Sequence, residues 1–144
     1  MEEIFVTEGF KKTQQLGKRF SKKLKGGDVV TLYGDLGSGK TTFAQGLAQG
    51  LGVKRRIISP TFVIVRSYKI SIKHIYHIDL YRITNGRDIE GLGLSEIIEN
   101  PQNIVVIEWP EKMGNLLPKN RWEIKFEYLD INKRRVAIKN IKSC

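Results

Sequence analysis

The nine residues Gly34-Asp35-Leu36-Gly37-Ser38-Gly39-Lys40-Thr41-Thr42 constrain this chain more than any others, because they satisfy G-x-x-x-x-G-K-[ST] at every fixed position. Such a loop works only between a strand and a helix, and the flanking residues supply both. Val29-Val30-Thr31-Leu32-Tyr33 is a β-branched and aromatic run that reads as a buried parallel strand, while Phe43, Ala44, Leu47, Ala48 and Leu51 recur at helical spacing. Gly37 and Gly39 let the backbone turn so that successive N–H groups converge on a β-phosphate at the positive end of the helix. Gly37, Ser38, Gly39, Lys40, Thr41 and Thr42 are therefore the expected phosphate contacts, with Lys40 reaching the β/γ oxygens and the Thr41 hydroxyl placed to ligate Mg²⁺. A nucleotide with Mg²⁺ is the expected ligand pair.

At 144 residues the chain is expected to form a single domain spanning 1–144. Its fold class is expected to be α/β, a P-loop NTPase-like three-layer sandwich. A mixed, mainly parallel sheet would carry helices on both faces, with antiparallel hairpins. Met1-Glu2-Glu3 lacks the basic and apolar regions of a signal peptide, and no apolar run reaches spanning length, so a cytoplasmic location without membrane contact is expected. The single cysteine, Cys144, excludes an intramolecular disulfide and a cysteine metal cluster. A net charge of +10 points to an anionic partner such as RNA, contacted indirectly or through a basic surface. The charge is dispersed over Lys11, Lys12, Lys18, Arg19, Lys22, Lys23, Lys25, Lys54 to Arg56 and Lys133 to Arg135, without interleaved aromatics, so solvation of an ordinary surface explains it as well.

Taken in order, Ile4-Phe5-Val6 reads as a short strand, followed by a helix that Thr7 could cap and Gly26-Gly27 would end. Phe10, Leu16, Phe20 and Leu24 form its apolar face. Gly52 suits a left-handed cap after the phosphate-loop helix. Residues 62–68 and 72–80 read as a hairpin with a turn near Ser71, and 86–100 as a short helix interrupted at Gly91 and Gly93. Ile104-Val105-Val106-Ile107 is a central strand that ends in Glu108. Residues 121–129 and 134–141 form a second hairpin across Asp130-Ile131-Asn132.

Three further places carry chemistry. Glu108 follows four apolar strand residues, which sets its carboxylate at the functional edge of a sheet, where it would orient Mg²⁺ opposite Thr41. Asp79, in His77-Ile78-Asp79-Leu80-Tyr81-Arg82, also ends a strand. It could polarise the attacking water, hold Mg²⁺ or simply cap the next turn. His77 stands without a cysteine or carboxylate at ligand spacing and reads as a hydrogen-bonded packing residue, so no zinc is expected. Ser59-Pro60-Thr61 reads as a loop at the position where a switch segment meets the γ-phosphate, or as a plain turn.

Assembled, these pieces resemble the TsaE family, the small ATPases of bacterial tRNA threonylcarbamoyladenosine synthesis. Thr13-Gln14-Gln15-Leu16-Gly17, the phosphate loop, Ser59-Pro60-Thr61-Phe62, His77 to Arg82 and Ile107-Glu108-Trp109-Pro110-Glu111-Lys112 carry the resemblance in order and spacing. It implies a part in attaching threonylcarbamoyl to adenosine 37 of tRNA, with the proteins TsaD and TsaB as partners. It also implies ATP at Gly37 to Thr42, Mg²⁺ at Thr41 and Glu108, catalytic roles for Lys40, Asp79, Glu108 and Thr61, and Trp109 beside the nucleotide.

A regulatory GTPase shares part of this plan, but N-K-x-D is missing: Asn132-Lys133 is followed by Arg134 and Arg135, and Arg82 stands where D-x-x-G would place glycine. A small-molecule kinase would need an inserted arginine-bearing lid, for which there is hardly space. A non-catalytic nucleotide-binding adaptor remains the alternative of another class. No arginine lies within the loop or beside Glu108, and the expectation that follows is slow hydrolysis by the isolated chain.

Overall fold

Alternation along the central strands decides how this chain layers. In the computed structural model, which describes residues 2–54, 65–71, 73–84 and 86–142, Val29 and Val30 send their side chains to opposite faces of one sheet, as do Val105 and Val106. A strand buried on both faces reads as a continuous apolar run, and these do.

The elements in chain order are β1 (Glu2–Glu8), α1 (Phe10–Phe20), a 3₁₀ turn (Ser21–Lys23), β2 (Val29–Tyr33), α2 (Lys40–Gly50), β3 (Val65–Ile70) and β4 (Lys73–Asp79). They continue with α3 (Gly86–Glu90), α4 (Leu94–Glu99), β5 (Asn103–Glu108), a 3₁₀ segment (Pro110–Leu116), β6 (Arg121–Tyr128) and β7 (Lys133–Ile141). All seven strands share one sheet in the order β1-β7-β6-β2-β5-β4-β3. The β6-β2-β5-β4 strip is parallel. The antiparallel strands β7 and β1 extend one side of it and β3 the other.

Helices α1 and α2 cover one face: Leu16, Phe20, Phe43 and Leu47 pack on Val30, Leu32, Ile124, Phe126, Val136 and Ile138. Phe43 is fully buried at the centre and meets Phe20 and Phe126 ring to ring. Truncation to alanine there would cost about 3–5 kcal/mol. The two helices approach closely because glycines stand at the crossing. A Cβ on Gly17 would run into the Phe43 carbonyl oxygen, and one on Gly46 into that of Gln14. The other face carries α3, α4 and the 3₁₀ segment over Val29, Ile78, Val105 and Ile107.

The expected strands, both hairpins and the interrupted 86–100 helix are present. Ser71 turns the first hairpin with φ 55°, and Gly91 to Gly93 separate α3 from α4. Three local expectations need correction. Thr7 does not cap α1: it lies in β1, its hydroxyl bonds that of Thr13 at 2.7 Å, and Gly9 takes the cap position. Phe10 lies outside the core cluster beneath α1 and is 66% exposed. The α-helix ends at Phe20 rather than at Gly26-Gly27, passing into the 3₁₀ turn. Residues 62–64 of the anticipated strand, like Ser59, Pro60 and Thr61, lie outside the described residues.

Candidate active site

Three strands of the parallel strip end at one edge, and their ends are in register: Leu32 faces Glu108 across β2 and β5, and Asp79 faces Glu108 across β4 and β5. Parallel neighbours deliver their last residues side by side, which is why a cleft opens at the carboxyl edge of such a sheet. The cleft holds about 400 Å³ and is lined by Gly37, Gly39, Lys40, Thr41, Thr42, Asp79, Glu108 and Trp109 at the loop and strand ends. Gly9, Phe10, Thr13, Ile131, Asn132 and Arg134 line the remainder.

The loop leaves β2 and enters α2 through Gly39, whose φ of 105° is a left-handed conformation a side chain would strain. Gly37, at 79°, is turned the same way. The first N–H groups of α2 have no intrahelical acceptors and lie at the positive end of the helix. Ser38 is buried behind the loop, its N–H donating to the Asp35 carbonyl at 3.1 Å.

Lys40 is the most telling side chain. It is buried, and among the described residues its ammonium has no hydrogen-bond partner, resting 4.0 Å from the centre of the Trp109 ring. Burial pushes its pKa below the usual lysine value, while Glu108, Asp79, Glu111 and Asp35 pull it back up. A buried, unpaired cation at the start of a helix fits an anionic ligand. Trp109 reaches it because the backbone at that residue is left-handed, with φ 60°, before Pro110 opens the 3₁₀ segment. Its indole also lies 5.2 Å from the Tyr81 ring.

Glu108 is buried and held from two sides. His77 Nε2–H donates to Oε2 at 2.6 Å, and the Thr41 hydroxyl donates to Oε1 at 3.5 Å. An ionised carboxylate only accepts, so His77 carries its proton on Nε2. The histidine thus packs and positions, the hydrogen-bonded packing role expected of it. Asp79 is buried beside this pair, and its Oδ1 accepts the Tyr81 N–H at 2.9 Å, the turn-cap geometry. Burial raises its pKa above the usual carboxylate value and Glu108 raises it further, against the Tyr81 N–H, His77 and Lys40. Two adjacent carboxylates under one buried ammonium make an environment able to hold a cation and to order a water. The Thr41 hydroxyl and the Glu108 carboxylate are hard oxygen donors set side by side, the donor type that would hold a divalent cation such as magnesium.

The structure brings Gly37, Ser38, Gly39, Lys40, Thr41, Thr42, Asp79, Glu108 and Trp109 to one end of the cleft or directly behind it. Thr61 lies outside the described residues. Sequence reasoning missed Arg134. From β7 it reaches back over the phosphate loop, where Nε and Nη2 donate to the Gly37 carbonyl at 3.3 and 3.1 Å. Nη1 donates to the carbonyls of Asp130 and Lys133, and the guanidinium lies over Tyr128. In the sequence it is the middle of three basic residues on a hairpin, Lys133-Arg134-Arg135, and the β6–β7 connection brings it to the cleft.

A parallel-stranded sheet with a phosphate loop at its carboxyl edge and strand-end carboxylates opposite defines a phosphate-loop nucleotide-binding protein. The model of the family described as threonylcarbamoyl adenosine biosynthesis protein TsaE matches residues 7–136, and the chain belongs to that family. It is 38% identical over 125 residues to a Bacillus subtilis protein named tRNA threonylcarbamoyladenosine biosynthesis protein TsaE, covering 87% of this chain and 77% of that one. It is 40% identical over 136 residues to the protein of that name from Rickettsia felis, covering 94% and 78%. The crystal structure of Bacillus subtilis YdiB superposes with a TM-score of 0.84 at 30% identity, covering 99% of this chain and 87% of that one. No helix among the described residues is long and apolar enough to cross a membrane.

Proposed function

We propose that this chain, a single domain, is the ATPase subunit of a tRNA threonylcarbamoylation assembly, binding and hydrolysing Mg-ATP together with TsaD and TsaB in the cytoplasm. The observation that carries the reading is the buried Lys40 ammonium, without a hydrogen-bond partner among the described residues and facing two strand-end carboxylates above a glycine-turned loop. Gly37 to Thr42 would hold the phosphates by their N–H groups, and Lys40 would leave the Trp109 face to bridge the β- and γ-oxygens. Thr41 and Glu108 would hold Mg²⁺, which when bound offsets phosphate charge. Asp79 would orient the attacking water through Oδ2, the oxygen that does not take the Tyr81 N–H, and burial raises its pKa above the usual carboxylate value. Thr61 would complete the γ-phosphate end.

Among the described residues that line it, that end carries one lysine and no arginine. Arg134 stands at the loop's outer side, committed to backbone carbonyls. Charge on the transferring phosphoryl group would be incompletely balanced, and a cation supplied by a partner is worth roughly 10³ to 10⁵ in rate in phosphate-loop enzymes. Slow turnover alone and faster turnover in the assembly are the expected outcome. Measuring phosphate release by the chain alone and with TsaD and TsaB tests this: equal rates would show a site complete in itself, and no hydrolysis in either setting would favour the non-catalytic adaptor. Titration with ATP and GTP tests the base, equal affinity counting against adenine.

A further inference from the structure

A second groove, of about 600 Å³, runs along the free edge of β1 beneath α1. Its strand wall is Phe5, Val6, Thr7 and Glu8 in succession. Consecutive strand residues point to opposite faces of a sheet, so what these four share toward the groove is their backbone edge. Among the described residues β1 pairs only with β7 and ends the sheet, which leaves every second N–H and C=O of its outer edge without a strand partner. The helix wall is a cationic stripe: Lys12, Lys18, Arg19 and Lys22, all exposed, against the single carboxylate of Glu8. On the sheet face turned away from α1, Ile4 and Val6 stand 50% and 62% exposed.

We infer that this edge accepts an extended acidic segment of a partner protein as an eighth strand of the seven-stranded sheet. Alternate residues of an added strand face opposite sides. Those facing α1 meet four cations and should be Asp or Glu; those facing the other way meet Ile4 and Val6 and should be apolar. The two chemistries thus specify an alternating acidic and apolar sequence, which separates this site from a groove for any polyanion. A nucleic-acid backbone would satisfy the lysines but leave the edge N–H groups and the apolar pair unused.

The test is binding of the full chain to a synthetic peptide of alternating valine and glutamate, followed by amide hydrogen exchange. The expected result is binding that protects amides within Phe5 to Glu8. The double variant Arg19→Glu/Lys22→Glu should weaken it about tenfold or more and flatten its salt dependence, while ATP hydrolysis by the chain alone stays unchanged. A peptide N-methylated along its pairing edge should not bind. Failure of the valine–glutamate peptide to bind would overturn the inference. So would equal binding of the N-methylated peptide, equal binding of a valine–lysine peptide, or displacement of the peptide by an oligouridylate of matched charge. The substitutions are exposed, Arg19 on α1 and Lys22 in the 3₁₀ turn that follows it, and a circular dichroism melt matching the parent separates lost binding from lost folding.

Discussion

The two ends of the nucleotide cleft are built on different principles. At the strand-end side, Lys40, Glu108 and Asp79 are buried charges fixed by the ends of parallel strands and the start of a helix; the Lys40 ammonium has no hydrogen-bond partner among the described residues, and burial displaces the pKa values of Lys40 and Asp79. At the hairpin side, Arg134 spends its donors on three backbone carbonyls, and Phe10 and Ile131 stand exposed. The first end keeps charges in tension that a ligand would relieve. The second ties the loop to the β6–β7 hairpin and is already satisfied. Substitutions at the first should therefore change chemistry, and at the second only affinity.

The largest effect should come from Lys40→Ala. Mg-ATP affinity or turnover is expected to fall by about 10²-fold or more, while the melting temperature holds or rises because an unpaired buried ammonium is gone. A variant that binds and turns over as the parent does would break the contrast. Next, Glu108→Gln should lower turnover about 10²-fold while melting within a few degrees of the parent, since the amide oxygen still accepts from His77. Glu108→Ala should melt lower by the equivalent of about 1–3 kcal/mol, for it leaves His77 buried without that acceptor. Similar melting of the two variants would show that the His77 contact adds nothing.

Arg134→Ala sharpens the comparison from the other side. Releasing the Gly37 carbonyl should raise KM by roughly tenfold or less, the net worth of a single solvent-exposed hydrogen bond, with kcat at saturation unchanged. A fall in kcat instead would place the guanidinium among the groups that stabilise the transferring phosphoryl.

The smallest effect is a stability difference with a defined sign. Asp79 holds its proton more tightly folded than unfolded, so its contribution is full below the ordinary value of 3.8 and is lost as pH rises through the raised folded value. Asp79→Asn keeps an acceptor for the Tyr81 N–H without the charge. It should therefore melt a few degrees above the parent at neutral pH, with the gap closing as pH falls to that ordinary value, even as turnover drops. A variant that melts well below the parent at neutral pH would make Asp79 a structural cap first.

This division also explains what was legible in the sequence. The strand-end groups are announced locally: Glu108 by the four apolar residues before it, Asp79 by its strand, Lys40 by a loop whose spacing is set by phosphate geometry. Hairpins and the Gly91 to Gly93 break follow from alternation and glycine, again local physics. Arg134 lies 97 residues along the chain from the Gly37 carbonyl it binds, and no local pattern carries that pairing. Phe10 misled for a related reason: helical spacing gives it the core face, but in the fold it stands exposed and lines the cleft. Thr7 likewise had the composition of a cap, and the strand claimed it because Thr13 offered a buried partner for its hydroxyl.

The central claim is that the empty chain keeps the Lys40 ammonium buried and unpaired for a phosphate. Its titration can be followed directly by nitrogen NMR of the lysine side chains, with and without saturating Mg-ATP. The account predicts that Lys40 titrates below the ordinary 10.5 in the empty chain and moves upward when the nucleotide binds. A Lys40 that titrates with the exposed lysines and does not respond to ATP would contradict it.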